Sequence, residues 1–509
     1  MYKLLLCWRY LRTRYIALAC IVSVTLGVAT LIVVNSVMEG FTREMQGRIH
    51  GILSDVILES VSVDGIHDAD WHMNEIRKIV GDQIVGMSPT VHVPAMLRYD
   101  YGGQTITRPI NLIGIDEATY SSVGDFGKYL QHPRNREQLS FALRDAGYDL
   151  LDHQADHPAE LQPRKQLKHA GWPHRRMQAQ LRGPATLPAA APAYSDGGFA
   201  NPFDARDADE PQGSVFDPAK EQHSGVVLGI ALAAFRTSEG EERFLTLPGD
   251  DVRISYPRSA VGTNLKMDVD TSIFTVVDLY ESKMSEYDAS FVFVPLRKLQ
   301  DIRGMIHPLT GIANFTSIQI KLKPGADLDA VRDRLRESFT PQLYGVYTWR
   351  DKQGPLLAAT QLEITLLNIL LFLIIAVAGF GILAIFFMIV VEKTRDIGIL
   401  KSLGATGRGV MTIFLGYGLS LGTVGTGVGI LLGLVFVWNI NEIADLIQKI
   451  TGTEVYDPMI YFFDKIPTIV SPWMVCWVAA GAIAIAVLAS VLPAIRAARL
   501  HPVEALRYE

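Results

Sequence analysis

The side chains most able to do chemistry are histidines His132, His153, His157, His169, His174 and His223, all in one polar stretch, and the cysteines Cys7, Cys20 and Cys476. Imidazoles ligate divalent metals. Here their spacing is irregular, and the surrounding Pro, Ala, Gln and Arg favour a poorly ordered chain over a preorganised site. The cysteines lie in or beside apolar runs and none lies in the polar middle, so no thiolate metal site can be built there. The sequence contains no G-x-x-x-x-G-K-[ST] phosphate loop and no H-E-x-x-H helix, and its G-x-S-x-G match, Gly418–Gly422, lies inside the apolar run Val410–Val437 and not at the strand-to-helix turn that a nucleophile elbow needs. Gly425, Gly429 and Gly433 recur every four residues. No strand, Lys or polar helix accompanies them, so they read as a small-residue face for helix packing rather than as a phosphate cradle. A chain of this kind is expected to be no enzyme and to hold no metal or cofactor of its own.

The remaining candidate is a charged hinge, Glu392–Gly409, reading EKTRDIGILKSLGATGRG between two apolar spans. On a helix, Ile397, Leu400 and Leu403–Gly404 share one face. Glu392, Lys393, Arg395, Asp396, Gly398 and Lys401 complete the turns around it. A short amphipathic helix pinned between two membrane spans can receive a push from the aqueous side. An ordinary cytoplasmic loop held inside by its basic residues has the same composition.

The elements that position this hinge are membrane spans. The chain has 509 residues, 49% of them hydrophobic, and a formal net charge of -6. Its mean hydropathy is +0.20. No basic excess points to nucleic acid. After a basic start with Lys3, Arg9, Arg12 and Arg14, Tyr15–Val37 is long and apolar enough to cross a bilayer. A cleaved signal peptide is the competing reading, disfavoured by the length of the run and the lack of a small-residue cleavage site. Met38, Phe41, Met45 and Ile49 continue the helical spacing as a stalk. Gly354–Glu392 predicts a second long helix of roughly 55 Å, with its apolar core at 364–391. Val410–Val437 and Pro472–Leu492 predict two more spans, joined by a polar return at Asn439–Ser471. Basic residues at both termini and in the hinge place all three on the cytoplasmic side, which four crossings satisfy.

Residues 38–361 then form one extracytoplasmic domain, with 1–37 before it and 362–509 behind it. Strand patterns at Ser54–Val63, Val91–Tyr99, Thr105–Ile115 and Thr316–Leu322, with helices after Asp70 and Leu328, predict an α+β subdomain assembled from both ends of the region. Val252–Tyr256, Thr271–Tyr280 and Phe291–Pro295 predict a second, β-rich part. Residues 130–224, including PATLPAAAPAYSDGG, read as a disordered insertion. The fold class is thus an α-helical membrane protein with four transmembrane helices and a large α+β domain between the first two. The spans carry almost no ionisable residues, so coupled ion transport has no pathway and energy must come from a partner.

These features resemble the FtsX/MacB superfamily of ABC-transporter permeases, and more narrowly its LolC/LolE lipoprotein-releasing members. The resemblance is carried by EKTRDIGILKSLGAT, the ending LPAIRAARLHPVEALRYE, VNSVMEGFTREMQGRI, LIGIDEATY, VVLGIALA and EYDASFVFVPLRKLQ. It implies a MacB-like periplasmic core domain in the bacterial inner membrane, with both termini cytoplasmic. It implies a dimer of ATPase subunits on the hinge, holding the ATP and Mg that this chain lacks, and a second permease copy or a sister permease. It implies mechanotransmission through the stalks to release lipoproteins, with membrane lipid around the spans and a periplasmic lipoprotein carrier beyond. Carried over, a lipid cavity is lined by Val34, Met38, Phe41, Met45, Ile364, Leu367 and Phe372, for which plain helix packing is the alternative. The 130–224 insertion departs from the family pattern. Two other functions stay open: MacB-like efflux of periplasmic substrates, and FtsX-like regulation of a cell-wall hydrolase.

Overall fold

A computed structural model describes residues 15–150, 164–182, 216–236, 242–258, 269–451 and 465–501. The basic N-terminal flank, His153, His157, the PATLPAAAPAYSDGG run and the ALRYE ending lie outside these residues. The chain divides into a membrane unit, Met1–Gly47 with Gln353–Glu509, and a large unit, Arg48–Lys352.

In the membrane unit, four helices among the described residues are long and apolar enough to cross a bilayer. The first begins at Tyr15 and stays helical to Ile52, well past the apolar run. The second is Gly354–Glu392, the third Gly407–Trp438 and the fourth Pro472–Arg499. The fourth outruns its expected end at Leu492 because Pro493 is accommodated within the helix. Apolar burial drives no association in lipid, so close backbone approach must hold the bundle together. The third span supplies it on two faces. A Cβ on Gly425, Gly429 or Gly433 would lie 2.9, 2.8 and 3.2 Å from the Cβ atoms of Val24, Val28 and Ile32 on the first span. The Thr25 hydroxyl donates to the Gly425 carbonyl at 3.1 Å. Around the helix, Gly418 and Gly422 leave room for Ser490 and Ala486 of the fourth span.

The segment before the fourth span lies across the first helix. Ile469 N donates to Ser36 O at 2.9 Å. Gly40 is bare because a Cβ there would stand 2.3 Å from the Pro467 carbonyl oxygen. Part of the expected polar return is in fact a helix, Ile440–Thr451.

The large unit holds, in chain order, β1 (Val56–Ser60), β2 (Ile66–His67), β3 (Ile84–Tyr101), β4 (Gln104–Ile115), β5 (Gly225–Gly229), β6 (Ala234–Arg236), β7 (Glu242–Phe244), β8 (Asp251–Pro257), β9 (Val269–Tyr280), β10 (Phe291–Pro295), β11 (Asn314–Phe315), β12 (Ser317–Leu322) and β13 (Tyr344–Thr348). Nine of them form one sheet in the order β13-β1-β12-β3-β4-β10-β5-β9-β8, and β8 also pairs back onto β3. Strands β3, β4, β10, β5, β9 and β8 therefore close a barrel, which removes their exposed edges. Strand β3 serves both parts: Ile84–Thr90 pairs with β12, and Met96–Arg98 pairs with β8.

Outside the barrel, β13, β1, β12 and the start of β3 carry two helices. Ala69–Val80 is capped by the Asp68 carboxylate, which accepts from Trp71 N at 3.0 Å. Leu328–Ser338 is capped by Asp327, which accepts from Asp329 N and Ala330 N. Ile76 and Val80 on one helix, and Val331 and Leu335 on the other, pack with Val56, Leu58, Ile318, Ile320 and Val346. The halves of this subdomain come from opposite ends of the region, matching the sequence expectation.

Within 130–224 the described residues 130–150, 164–182 and 216–224 are packed into the domain, at odds for those stretches with the reading of a mostly disordered insertion. Phe141 and Leu143 pack with Phe126, Tyr280 and Phe293. Tyr148, Leu167 and Ala170 join the barrel cluster with Val226 and Val276. The Tyr148 hydroxyl donates to Val277 O at 2.7 Å. Arg164 makes a bidentate pair with Glu281 (2.9 and 3.1 Å), and its Nε lies 3.1 Å from a Glu242 carboxylate oxygen. Among the histidines, the His132 ring Nε2 donates to Ala146 O at 2.8 Å, and the His174 ring pairs with Asp250 at 2.7 Å. These imidazoles are therefore tied into hydrogen bonds within the domain.

Candidate functional site

The hinge is a helix, Thr394–Ser402, separated from the second span by a break at Lys393. Lys393 Nζ donates to Asp396 at 2.6 Å across the first turn. At the far end Gly404 takes φ +98, a left-handed conformation open to glycine, and its N–H donates to Lys401 O at 3.0 Å. Thr406 then caps the third span, its hydroxyl oxygen accepting from Gly409 N at 3.2 Å.

The hinge faces divide differently from the expected stripe. Ile397 is only 3% exposed, in the bundle core with Val390, Ala494 and Ala497, and Gly398 is buried beside it. Leu400 is half-buried, and Leu403 stands 80% exposed next to exposed Ile399. The apolar residues on the two sides thus do different things: Ile397 fixes the helix to the bundle, and Ile399 and Leu403 are left to water or a partner. Arg395 and Asp396 flank this free surface, and Glu392 is exposed at the end of the second span. Lys401 points back into the molecule. Its Nζ donates to Ala498 O at 2.8 Å and Leu500 O at 2.6 Å, placing a cation on the carbonyls at the end of the fourth span. The hinge is thereby tied to the second and fourth spans by side chains, and it turns towards the third span through the backbone bonds from Gly404 N to Lys401 O and from Ala405 N to Leu400 O, both 3.0 Å.

The second candidate is a groove of about 480 Å3 lined by Asn35, Met38, Glu39, Thr42, Arg43, Gln46, Ile364 and Met474. It lies along the first helix from Asn35 to Gln46, starting at the level of Ser36 and Gly40, where the 465–471 segment crosses. Of the expected lipid-lining residues it brings together Met38 and Ile364. Met45 is buried, Val34, Phe41 and Leu367 are half-buried, and Phe372 is 63% exposed on the outside of its helix. Leu371 beside it is the buried residue. The groove is amphipathic: Met38, Ile364 and Met474 supply apolar surface, and amide, hydroxyl, carboxylate and guanidinium groups supply the rest. The sequence reading missed Asn35, Glu39, Thr42, Arg43 and Gln46 because it followed the apolar stripe. Their own spacing of three and four residues was the available signal. No cluster of three metal-ligating side chains occurs among the described residues.

In the large unit a polar joint sits where the first long helix ends. The His50 imidazole donates to Asp55, Leu322 N donates to Asp55 at 2.7 Å, and Lys321 Nζ donates at 3.3 Å. Burial alone pushes the Asp55 carboxyl up, but the His50 and Leu322 hydrogen bonds and the Lys321 charge outweigh it and hold it below the ordinary range. Trp349 lies with its ring centroid 5.4 Å from that of His50, and its backbone N–H donates to the Asp55 carbonyl oxygen at 3.2 Å. The residue that anchors the end of one long helix is therefore hydrogen-bonded to the residues that lead into the other.

Comparisons with known proteins agree on the type of molecule. Residues 368–502 match the family described as FtsX-like permease C-terminal, and residues 175–338 match the MacB-like periplasmic core domain. The chain is 24% identical over 516 residues to the lipoprotein-releasing system transmembrane protein LolE of Haemophilus influenzae, covering 98% of this chain and 97% of that one. It is 33% identical over 239 residues to LolC of Xylella fastidiosa, covering 46% of this chain and 55% of that protein. The chain thus spans about half the length of the first curated relatives it matches. The macrolide export ATP-binding/permease protein MacB of Bdellovibrio bacteriovorus is 29% identical over 223 residues, 42% of this chain and 31% of that protein. The four apolar helices and the two matched domains support a multi-pass membrane permease of the LolC/LolE type.

Proposed function

We propose that this LolC/LolE-type chain is the non-catalytic permease subunit of an ATP-driven ABC transporter that releases lipoproteins from the outer leaflet of the inner membrane. The amphipathic groove carries the reading. Acyl chains are bound by non-directional apolar contact, which Met38, Ile364 and Met474 offer with adaptable side chains. A lipidated protein also has a polar junction between its acyl chains and its polypeptide. Asn35, Glu39, Thr42, Arg43 and Gln46 offer donors and acceptors on one continuous stripe for that junction.

The power stroke enters at the hinge in this proposal. A partner ATPase, holding ATP and Mg, docks on Ile399 and Leu403 with Arg395 and Asp396 at the rim. Ile397 and Lys401 pass its movement to the bundle, and the two long helices carry it to the large unit through the His50–Asp55 joint. A movement of this kind requires two packings of the bundle separated by a small free-energy gap, which nucleotide binding biases. The hinge and both termini face the cytoplasm, and the large unit faces the periplasm, in this arrangement. A second permease chain, identical or sister, completes the transporter, and a periplasmic carrier receives the product.

Affinity purification of the chain from its native membrane in mild detergent, with mass spectrometry of what is retained, tests the proposal. A stoichiometric ATPase subunit with acylated proteins is expected. An ATPase retained with a periplasmic adaptor or a cell-wall hydrolase, and no acylated protein, refutes lipoprotein release. Absence of any ATPase refutes the role of the hinge.

A further inference from the structure

Helix Ile440–Thr451, reading INEIADLIQKIT, leaves the third span directly after Trp438. At 100° per residue its apolar and charged residues separate completely. Ile440, Ile443, Ala444, Leu446, Ile447 and Ile450 occupy one side, and Asn441, Glu442, Asp445, Gln448 and Lys449 the other. The bundle accounts for only the start of the apolar side: Ile440 is buried, and Ile443 and Ala444 are half-buried. Leu446, Ile447 and Ile450 are exposed. Three large apolar side chains on the last two turns therefore have a face with no cover among the described residues.

Several observations identify what covers it. The exposed face is continuous with the lipid-facing wall of the third span, where Leu431, Leu432, Val435 and Trp438 are exposed. The fourth span starts on the same membrane face, because it follows the third in the opposite direction. Its first turns carry exposed Trp473 and Trp477, packed edge-on with ring centroids 6.0 Å apart. Exposed tryptophans at the ends of two adjacent spans mark the depth of the headgroup region. Asn441, on the polar side, accepts from Ile466 N at 2.8 Å, so the helix start is fixed at that depth by the same segment that crosses the first span. Glu442, Asp445 and Lys449 give the helix two acidic groups and one basic group, so it gains no attraction to anionic lipid.

We propose that Ile440–Thr451 is a membrane-surface helix lying in the headgroup–acyl boundary, with Leu446, Ile447 and Ile450 inserted among the lipids. Its ligand is a zwitterionic phospholipid surface, held by apolar insertion and not by charge. The helix fixes the depth of the third and fourth spans at that face of the membrane.

The test uses the full chain with Cys7, Cys20 and Cys476 replaced and one new cysteine carrying an environment-sensitive fluorophore. The sites are Leu446→Cys, Ile447→Cys and Ile450→Cys on the apolar side, and Asp445→Cys and Gln448→Cys on the polar side; all five native residues are exposed. Each protein is placed in phosphatidylcholine nanodiscs with and without bromine on the acyl chains. Bromine is expected to quench the apolar-side labels at least about twofold more than the polar-side labels. The same contrast is expected when a tenth of the lipid is made anionic. Equal quenching on both sides overturns the proposal. Protection of the apolar-side labels from brominated lipid, together with cross-linking from Ile450→Cys to a second permease chain, overturns it in favour of a protein interface.

Discussion

Replacing Arg164 by Met tests whether the 164–182 stretch is part of the domain's structure. The Arg164 side chain is 7% exposed and that of Glu281 3%. The guanidinium makes two parallel bonds to Glu281, a third to Gln131 at 3.1 Å, and an ion pair with Glu242. Methionine fills most of the volume and satisfies none of the acceptors. Removing one partner of a buried pair costs about 3–5 kcal/mol, mainly because the other charge stays buried. At ~2–4 °C per kcal/mol for a domain of this order of size, the unfolding midpoint of the large unit should fall by roughly 6–20 °C. Thermal unfolding of the purified chain in mild detergent, with limited proteolysis reporting on the large unit, measures it. Adding Glu281→Leu removes the stranded charge and should recover most of the loss, since a well-packed apolar replacement of a buried ion pair is often neutral or better. A shift of less than about 2 °C for Arg164→Met would refute the reasoning, because a stretch that bears no structure loses little when its anchor goes.

Other expectations follow from the same geometry. Leu403→Asp, on the exposed side of the hinge, should abolish ATPase association with the bundle intact, whereas Ile397→Asp should lower the folded yield of the membrane unit itself; equal folded yields for the two in detergent gel filtration would contradict this division. Gly429→Val places a Cβ 2.8 Å from that of Val28 and 2.9 Å from the Thr25 carbonyl oxygen, and should destabilise the bundle by about 1–3 kcal/mol through overpacking, read as a lower midpoint of detergent-induced unfolding. Deleting 135–220 should prevent folding of the large unit, because it takes Asn135, Phe141, Tyr148, Arg164 and Leu167 out of the core; a soluble, cooperatively melting product would count against it. Burial raises the Asp278 carboxyl to about 6 despite hydrogen bonds from Asn135, Leu279 and His132. Its folded pKa thus lies above the unfolded 3.8, so its contribution is most favourable below about 4 and declines as pH rises to about 6. Asp278→Asn should flatten that decline in urea unfolding measured across pH 4–6.5 whatever it does at one pH, and an unchanged slope would show that the group does not titrate there.

The four spans were legible because an apolar run of bilayer length has no other stable home, and Gly354–Glu392 was placed at its observed limits. The outer subdomain was legible from both ends because Ile318, Ile320 and Leu322 alternate on a strand and Val331 and Leu335 share a helix face. The barrel was not: its closure depends on β3 running on from β12 to β8, a pairing that no local pattern encodes. The 130–150 and 164–182 stretches were misread because single anchors hold them. Phe141, Tyr148 and Leu167 enter the core one at a time, and Arg164 is fixed by ion pairs, so neither period of 2 nor of 3.6 arises. In the hinge, composition located the helix, but only packing could tell Ile397, which is covered, from Leu403, which is not.

The pairing of β1 with β12 and β13 has a consequence for biosynthesis. Val56 meets Ile320 on one side and Thr348 on the other, so an early strand waits for the last ones. At ~5–20 residues per second, roughly 15–60 s separate the emergence of β1 from that of β13. Until β12 emerges Val56, Ile57 and Leu58 form an apolar strand with both edges open, and until β13 emerges one edge stays open, a segment prone to pairing with other chains. Closure of the joint at Asp55 comes later still, because it needs Lys321, Leu322 and Trp349. The root of the domain is therefore among the last parts of it that can fold: a nascent chain stalled before residue 317 has neither neighbour for β1, and one stalled before residue 344 still lacks β13 and Trp349.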